Sequence, residues 1–487
     1  MKKNKIITLF VLAGFLVACD TGNSNSQNKG SGDAFEINDQ YYQNVSKRIN
    51  FDTQNELNFN QTFENGLNND VWYTLDGVWH TDVPHNGMKR RNLFYTNDGT
   101  KDYLAIRGRG IYNRDADFDT EGIRPEGGCI VSKNHLGPGR YEIKMAPMPR
   151  EGAVSTMWTY CTATGNEATS QNEIDIEIGG TTKGTHYKYL WATTWTKHGT
   201  KQTETPDISE MFYMNDRKIH TYTFDWYTEY PSTKERRIDW FVDGHFIQSL
   251  TGNIVPEHEM PLWVGLWFPP LWTGNPTFEE DYMLVESISY QSFEGQYYED
   301  CRAQPGYEKH EIKDVDIQTI DFDRIKNVNK LSNSGFEVFE QNSRGNNSYY
   351  GWSVDTASDG TITQSNDASQ GSKSFMLTAP VTPTSKYSGE YIYQDLTDAY
   401  EGFKYELKID AKKVTSDAEG GIWLYYYDAT SNAIANIEKI DISSTNFETY
   451  TKQITMPKNS YRLRVELNCT KGSILYDNAS LKYLGND

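Results

Sequence analysis

The stretch Asn172–Gly180 reads NEIDIEIGG, and it indicates both how the chain folds and where its chemistry lies. Within it, Glu173, Asp175 and Glu177 alternate with three isoleucines. An alternation with a period of two is that of a β-strand, whose successive side chains point to opposite faces. The sequence therefore predicts a strand with an apolar face for a core and a second face that carries three carboxyl groups.

Carboxyl groups spaced along one strand repel one another, and this repulsion tends to keep at least one of them protonated near neutral pH. An acid held beside a base is the pairing that glycoside hydrolysis requires. The alternative interpretation is an ordinary half-buried strand with a solvated acidic face. Two features argue against this alternative. The polar face of the stretch has no Lys, Arg, Ser or Thr, and carboxylates that neighbour one another without such partners lower the stability of a strand.

The overall composition narrows the class of protein. A length of 487 residues predicts two or three domains. The 33 Tyr, 12 Trp and 38 Gly residues, without helical heptads, favour all-β sandwiches that bind sugars on aromatic side chains. The net charge of -20 argues against a nucleic-acid partner and disfavours a strongly anionic polysaccharide. We expect a monomer by default, because no sequence feature suggests a subunit interface.

The first residues have the features of an export signal. Three lysines precede the apolar stretch Ile6–Val17, and Leu16-Val17-Ala18-Cys19 resembles a bacterial lipobox. Residues 1–19 are therefore predicted to be a lipoprotein signal peptide, with Cys19 as the lipidated residue of a membrane-anchored protein. The expected location is the bacterial cell envelope, at the outer membrane or cell surface. Residues 20–50 are predicted to be a flexible tether, and a plain secretory peptide is the alternative.

Four cysteines remain after Cys19, namely Cys129, Cys161, Cys301 and Cys469. Disulfides are permitted in an export compartment, and four thiols allow three complete pairings. The sequence does not choose among these pairings, and free buried thiols are equally compatible with it. No pair has the spacing of a zinc site.

Residues 51–295 alternate short strand-like runs with turn signals. Examples of such runs are Tyr103–Arg107, Gly139–Met145 and Arg237–Val242. Asp243-Gly244 follows the last of these as a tight-turn signal, since glycine tolerates a positive φ. This organisation predicts an antiparallel sandwich.

Several pieces of this region resemble glycoside hydrolase family 16, and they occur in the order found in that family. The resemblance spans roughly 230 residues with collinear motifs, and each single piece would be weak evidence. The matching pieces are Asn86-Gly87-Met88 with Asn92, Gly128–Lys133, Gly137–Lys144, Trp158, NEIDIEIGG, His220–Trp226 and Arg237–Gly244.

This resemblance implies a concanavalin-like β-jelly-roll whose concave face forms a sugar cleft, and a reaction that retains the anomeric configuration. It implies that Glu173 is the nucleophile, Glu177 the general acid/base and Asp175 the residue that modulates both. Such enzymes hold the two carboxyl groups about 5 to 5.5 Å apart, whereas residues i and i+4 on a strand lie about 13 Å apart at Cα. Long glutamate side chains that lean together over a twisted strand would close this gap.

The strand has the uninterrupted form E-x-D-x-E, without the extra residue found in other branches of the family. This form resembles lichenases, xyloglucan-active enzymes and fungal wall transglycosylases, and it favours a β-1,3/1,4-glucan as substrate. The resemblance implies no catalytic cofactor.

Tryptophans near the acidic strand are candidates for sugar contacts, because a pyranose ring packs its C–H face on an indole. The alternative is that they belong to the core, as we expect for Trp226 and Trp240. The predicted substrate-binding residues are Trp158, Trp191, Trp195, Trp267, Asn86 and His198.

Residues 296–330 are predicted to be a linker, and 331–487 a second β-sandwich. Its motifs resemble carbohydrate-binding modules of family 4, which implies a possible structural calcium at Glu337 and Asp477. Alternation within Ile422–Tyr427 leaves two possibilities open, since its aromatic side chains face either a sugar or the core. The motifs that carry the resemblance are Asn333–Glu337, Gly351-Trp352, Ile422–Tyr427 and Ile474–Leu481.

Together these features predict a retaining endo-β-glycanase that hydrolyses an extracellular polysaccharide. The alternatives are a transglycosylase on the same glycans, a galactan-active hydrolase, and a non-catalytic glycan-binding protein on the cell surface.

Overall fold

The computed structural model describes most of the chain beyond the predicted tether. Cys19, His198 and Cys301 lie outside the described residues, as do the predicted signal peptide and tether. The described ranges are 57–80, 86–112, 125–162, 171–180, 189–196, 201–212, 216–269, 273–298, 317–339, 348–349, 351–354, 359–382, 389–397 and 399–486.

Within the described ranges, the first sandwich contains seventeen strands, β1 to β17, and two short 3-10 helices at Arg90–Asn92 and Gly252–Ile254. In chain order the strands are Phe59–Gln61, Trp72–Thr74, Gly77–His80, Asn86–Met88, Leu93–Asn97, Asp102–Arg109, Glu126–Leu136, Gly139–Ala146, Val154–Thr162, Gln171–Gly179, Trp191–Trp195, Lys201–Glu204, His220–Tyr227, Arg237–Val242, His245–Thr251, Met260–Trp267 and Glu280–Ser292.

These strands form two packed layers. One layer runs β12, β11, β10, β9, β16, β7 and β2 in space, with antiparallel neighbours throughout. The other contains β15, β14, β13, β8, β17 and β6 in that order. The predicted all-β jelly-roll sandwich is therefore confirmed, and its acidic strand β10 lies near the middle of the first layer.

The core between the layers explains why the acidic strand takes its orientation. The three isoleucines of β10 are fully buried in this core, where Trp226 and Trp240 are buried as predicted. Tyr141 and Phe224 stack in the opposite layer with ring centroids 4.5 Å apart. Because a strand alternates its faces, burying the isoleucines places the carboxyl groups on the outer side of the sheet, away from this core.

Trp240 ties the two layers together at the acidic strand. Its indole Nε1 donates a 3.0 Å hydrogen bond to the main-chain carbonyl of Asp175. Trp226 makes an equivalent bond to the carbonyl of Pro256, away from β10. Trp240 thus holds the backbone from which the central carboxyl group projects.

We expect Trp240→Phe to lower the free energy of unfolding by about 1 to 3 kcal/mol, because it removes a buried hydrogen bond and leaves a cavity. It should also lower kcat several-fold by loosening β10. The matched control is Trp226→Phe, which should destabilise to a similar degree without changing kcat. Urea unfolding and steady-state kinetics of both variants test this, and equal kcat values for the two would contradict it.

The segment after the first sandwich packs against it. Strand β18 (Gln318–Thr319) pairs in parallel with β5, and helix α1 (Phe322–Lys326) follows, capped by the side chain of Asp321. Phe322 stacks on Tyr103 with ring centroids 6.1 Å apart. Part of the predicted linker is therefore ordered structure on the face of the sandwich, while the domain boundaries themselves stay predictions.

The second sandwich contains strands β19 to β29, as predicted for the C-terminal part of the chain. One sheet runs β19, β20, β23, β28, β25 and β26, and the other runs β21, β22, β29, β24 and β27. They enclose a separate core centred on Trp352, Tyr405 and Tyr476. The strands are Ser348–Tyr349, Trp352–Val354, Thr361–Ser365, Ser374–Thr378, Glu390–Leu396, Phe403–Lys413, Glu419–Tyr427, Glu438–Asp441, Glu448–Thr455, Arg462–Lys471 and Ser473–Asn486.

A buried ionic cluster joins the two sandwiches. Asp281 on β17 accepts a 2.8 Å hydrogen bond from the Nζ of Lys330, and it lies 3.3 Å from Arg217 and 3.8 Å from Arg150. Burial opposes ionisation of Asp281, but the three cations hold its pKa below the usual range. Nearby, the guanidinium of Arg217 lies 5.2 Å from the ring centroid of Tyr483 on β29.

Two further observations concern the described residues alone. No helix among them is long and apolar enough to cross a membrane. Cys129 and Cys469 are buried free thiols, whereas Cys161 belongs to a disulfide.

Candidate active site

The acidic strand β10 is paired on both sides, and its register from Gln171 to Gly179 has no bulge. On the β11 side, Glu173 faces Trp195, Asp175 faces Thr193 and Glu177 faces Trp191. On the β9 side, the same carboxyl residues face Tyr160, Trp158 and Thr156. The three carboxyl groups therefore lie on the same outer face of the sheet, as the E-x-D-x-E spacing predicts.

The end of the strand depends on a close backbone contact. Gly180 donates a hydrogen bond from its N–H to the carbonyl of Ala153. A Cβ atom at position 180 would lie 2.0 Å from the carbonyl oxygen of Arg150. Glycine is therefore required here, and it explains the final residue of NEIDIEIGG.

Burial dominates the titration of the three carboxyl groups. It raises the pKa of Glu173 to about 8, reinforced by the charge of Glu177, and it raises the pKa of Glu177 to about 7. Burial and the charges of both glutamates raise the pKa of Asp175 well above its ordinary value. The three groups therefore hold protons near neutral pH chiefly because of burial, whereas the repulsion on which the sequence prediction rested contributes less, at Glu173 and Asp175.

Hydrogen bonds oppose the effect of burial at Glu173. The side-chain amide of Gln171 donates to Glu173 Oε2. The carboxyl group of Asp175 also hydrogen-bonds to Glu173, which lowers the pKa of Glu173 and raises that of Asp175. The two hydrogen bonds thus favour an ionised Glu173 beside a protonated Asp175, although burial still holds the pKa of Glu173 at about 8, above the value of about 7 for Glu177.

The predicted tryptophans lie around this row of carboxyl groups. Trp158 is the cross-strand neighbour of Asp175 and stacks on Trp263 with ring centroids 5.4 Å apart. Trp191 lies beside Glu177, and the half-buried Trp195 lies beside Glu173. Trp267 is half-buried at the end of β16. All four are thus on or at the edge of the carboxyl-bearing sheet.

The structure does not place the other two predicted sugar-contacting residues, Asn86 and His198, at the site. Asn86 begins strand β4, but its side chain lies outside the described residues, as does all of His198. Asn92, part of the family resemblance, is fully buried. Its side-chain amide donates to Glu126 and to the carbonyl of Gly127, so it stabilises the fold and does not face a sugar.

The carboxyl-bearing face of the sheet also contains an apolar cluster that the sequence alone did not reveal. Its buried members are Leu75, Met88, Cys129, Val131, Trp158, Tyr160 and Trp263, with Tyr73 and Trp267 packed against them. This cluster lies outside the main core because it belongs to the opposite side of the same sheet. Trp158 and Tyr160 of this cluster are themselves buried, with 6% and 8% of their surface exposed.

Two polar residues of the site were missed by sequence reasoning. Gln171 lies two residues before Glu173, so the period of two could have placed it on the same face. Lys201 begins β12 and pairs with Trp195, and its Nζ lies 5.0 Å from the centroid of the Trp195 ring. No sequence signal identifies Lys201, because its position depends on the pairing of β11 and β12.

The second sandwich presents its own aromatic surface on β25. Ile422, Leu424 and Tyr426 are buried, so the alternating Trp423, Tyr425 and Tyr427 lie on the outer side. This resolves the two possibilities that the sequence left open. Tyr425 and Tyr427 are parallel, with ring centroids 6.3 Å apart and an interplanar angle of 12°.

Cations cover parts of this surface. Arg464 lies 3.5 Å from the centroid of Tyr393 and is held by a bidentate bond to Asp395. Lys439 lies 3.9 Å from the centroid of Trp423. The surface is therefore a rigid array of rings and paired charges.

The contacts of Glu337 and Asp477 do not support the predicted calcium site. Glu337 accepts hydrogen bonds from the N–H groups of Ser372 and Lys373, while Asp477 accepts from those of Ser369 and Gln370. Each carboxylate thus holds one end of the same loop. Within the described ranges, no group of three or more His, Cys, Asp or Glu residues is arranged to hold a metal ion, and structural calcium stays a prediction.

A jelly-roll sandwich with three carboxyl groups on one strand and aromatic residues on the strands beside it is typical of a class, the polysaccharide-active glycoside hydrolases. Comparison with known proteins agrees, since residues 92–283 match the family described as Glycosyl hydrolases family 16. The chain belongs to this family, and it is a glycoside hydrolase.

Its relatives cover the first sandwich. The chain is 30% identical over 203 residues to a protein named Beta-glucanase from Paenibacillus macerans, which is 41% of this chain and 73% of that protein. It is 28% identical over 204 residues to Beta-glucanase of Bacillus subtilis (strain 168), covering 42% and 72%. A solved structure of Bacillus licheniformis β-glucanase matches 49% of this chain and 99% of its own, with 21% identity and a TM-score of 0.39.

Glu177 should make the stability of the protein depend on pH in an unusual direction. Its pKa rises from 4.5 to about 7 on folding, so the folded state binds more protons between these values and loses stability as the pH rises. We expect Glu177→Gln to be more stable than the wild type by about 1 to 3 kcal/mol at pH 7.5 and nearly equal at pH 4.

Urea unfolding at several pH values tests this expectation. The control is Glu448→Gln, a change of an exposed glutamate on β27, for which the difference from the wild type should not vary with pH. A constant difference for Glu177→Gln as well would contradict the proposed burial of its charge.

Proposed function

We propose that this chain is a retaining endo-β-glucanase that hydrolyses a β-1,3/1,4-glucan outside the cell. The observation that carries the proposal is the row of carboxyl groups on β10, where Gln171 and Asp175 donate hydrogen bonds to Glu173 and where burial raises the pKa of Glu177 to about 7. The relatives named Beta-glucanase support the choice of substrate. The uninterrupted E-x-D-x-E strand favours the same choice.

In the proposed reaction, Glu173 attacks the anomeric carbon and Glu177 gives its proton to the leaving oxygen. This step forms a covalent glycosyl-enzyme and releases the first product. Glu177, now ionised, takes a proton from water, and that water attacks the anomeric carbon and frees Glu173. Asp175 holds its proton toward Glu173 and so stabilises the carboxylate before attack and after release.

The aromatic residues are assigned to substrate binding in this proposal. Trp158 forms the floor beneath the reacting carboxyl groups, while Trp191 and Trp195 flank them on the neighbouring strand. Sugars bound there would place their glycosidic bond across the row of carboxyl groups. Trp267 contributes at the edge of the cleft, and Asn86 and His198 stay proposed contacts on the basis of the sequence.

The test is a panel of barley β-glucan, lichenan, laminarin, xyloglucan and agarose, with release of oligosaccharides as the measurement. We expect cleavage of barley β-glucan and lichenan. Cleavage of agarose alone would favour the galactan-active alternative. Products longer than the substrate, formed when acceptor oligosaccharides are added, would favour a transglycosylase.

We also infer that the second sandwich binds a glycan through Trp423, Tyr425 and Tyr427. The parallel tyrosine rings, half-buried on the outer side of one sheet, support this proposal. The test is affinity electrophoresis of Glu173→Gln in gels that contain each polymer, compared with the same variant carrying Tyr425→Ala and Tyr427→Ala. Equal retardation of both proteins would contradict this role.

The cellular location is proposed from residues 1–19 alone. Cys19 would carry the lipid, and the tether 20–50 would hold the enzyme away from the outer membrane or cell surface. Labelling of cells with a clickable fatty acid should modify the wild type and not Cys19→Ser. Equal labelling of both would exclude lipidation at Cys19.

A further inference from the structure

Lys201 occupies a specific place on the cleft sheet. It pairs with Trp195, and Trp195 pairs with Glu173, so these residues form one row across three adjacent strands. Two strand spacings place the Cα atoms of Lys201 and Glu173 about 10 Å apart. Because residues directly opposite one another share a face, Lys201 is on the same side of the sheet as the carboxyl groups.

The side chain of Lys201 is directed over the cleft. Its Nζ lies 5.0 Å from the centroid of the Trp195 ring, within the range of a cation–π contact. Lys201 is itself exposed. The contact with Trp195 therefore holds its ammonium group between solvent and β10.

The groups that face the three carboxyls come from several strands. Tyr160 and Trp158 face them from β9, Trp191 and Trp195 from β11, and Gln171 from β10 itself. Beyond β11, β12 places Lys201 and Thr203 on the cleft face. Glu204 has the opposite orientation on that strand, since it alternates with Thr203.

The charge of Lys201 acts on all three carboxyl groups. Burial raises the pKa of Glu173, Asp175 and Glu177, and the charge of Lys201 lowers all three pKa values by a smaller amount. Without a nearby cation, burial and mutual repulsion would favour a fully protonated strand, which has no nucleophile. The chemistry proposed for the site needs one ionised carboxylate beside one protonated acid.

We propose that Lys201 is a positioning residue of the active site, whose ammonium group, held over Trp195, keeps one carboxylate of β10 ionised beside a protonated acid. This inference rests on the proposed function, because it assigns the charged form to Glu173. Lys201 acts through the field at the carboxyl groups and needs no contact with the substrate.

The experiment compares Lys201→Gln and Lys201→Arg in the full chain, with Lys234→Gln as the matched control. Lys234 is an exposed lysine in the turn between β13 and β14, paired with Glu229. The measurement is the pH dependence of kcat/KM on the polymer that the wild type cleaves, at low and high salt. Its acid limb reports ionisation of Glu173, and its alkaline limb reports loss of the Glu177 proton.

We expect both limbs of the Lys201→Gln profile to move to higher pH by about half a unit, which lowers kcat/KM about threefold on the acid limb. Lys201→Arg and Lys234→Gln should keep the wild-type midpoints, and high salt should reduce the shift. A Lys201→Gln profile with unchanged midpoints would overturn the proposal, even if kcat/KM fell uniformly. Such a uniform fall would mean that Lys201 only supports Trp195 or binds substrate.

A second measurement needs no turnover and separates this inference from the proposed function. The free energy of unfolding should decrease with rising pH as the buried carboxyl groups ionise, and in Lys201→Gln this decrease should extend about half a unit higher. An identical pH dependence in the two proteins would overturn the role of Lys201. Failure of the wild type to cleave any polymer would instead count against the proposed function alone.

Discussion

Replacing Glu173 by glutamine is expected to lower kcat/KM for the cleaved glucan by at least about 10⁴-fold, because the amide cannot form the glycosyl-enzyme. The change keeps the shape of the side chain. The burial of Glu173 between Tyr160 and Trp195 makes the neutral form acceptable to the fold. Affinity for the polymer should therefore be retained, and the free energy of unfolding should not fall.

Two companion variants sharpen this expectation. Glu204→Gln removes a carboxylate from the other face of the same sheet, and it should leave kcat/KM within about twofold, as expected for a surface change that touches neither substrate nor nucleophile. Glu177→Gln should lose activity on the polymer but keep much of the first step on an aryl glycoside, whose leaving group needs little protonation. Activity of Glu173→Gln within tenfold of the wild type would show that the nucleophile is another residue.

The largest effect on stability is expected from Asp281→Asn. This change leaves Arg150, Arg217 and Lys330 close together without the carboxylate that they share. Removing one partner of a buried ionic group costs about 3 to 5 kcal/mol, since the remaining charges stay buried and unpaired. Burial and the neighbouring Arg217 already lower the pKa of Lys330 to about 7, so loss of its proton limits the penalty.

The measurement is urea unfolding monitored by tryptophan fluorescence. Glu286→Gln is the matched control on the same strand, where Glu286 makes a surface ion pair with Lys101, and it should cost less than about 1 kcal/mol. Because Asp281 joins the two sandwiches, Asp281→Asn should also separate their unfolding into two transitions. A single transition at the wild-type urea concentration would contradict the importance of the cluster.

The strand that contains the candidate site could be predicted because local and long-range requirements agree there. Alternation in NEIDIEIGG specifies which side chains face the core, and burial of its isoleucines confirms the predicted orientation. Trp226 and Trp240 were correctly assigned to the core, whereas Asn92 proved to be a buried structural residue. The sequence did not reveal this role of Asn92 because its hydrogen-bond partner, Glu126, lies on a strand distant in sequence.

The positions of Lys201 and Lys330 could not be predicted for the same reason. Lys201 reaches the cleft only through the register of β11 with β12. Lys330 reaches Asp281 only because β18 and α1 pack the preceding segment on the first sandwich. A charged segment without a clear period is predicted to be a linker as long as the residues that it contacts are unknown. The amino-acid composition shows how polar the segment is, but it does not show which strands the segment packs against.

The orientation of Trp423, Tyr425 and Tyr427 shows a further limit of alternation. A period of two divides a strand into two faces, but it does not say which face is covered when both are apolar. Ile422, Leu424 and Tyr426 are buried in the core of the second sandwich. Packing against the opposite sheet therefore determines which face is buried, and Trp423, Tyr425 and Tyr427 lie on the outer face.

The most direct test of the proposed retaining mechanism is the anomeric configuration of the product at the moment of cleavage. Proton NMR of barley β-glucan hydrolysis distinguishes the α and β forms of the new reducing end before they equilibrate. If Glu173 forms a glycosyl-enzyme that water resolves with help from Glu177, the β form must appear first. First appearance of the α form would contradict the mechanism proposed for these two residues.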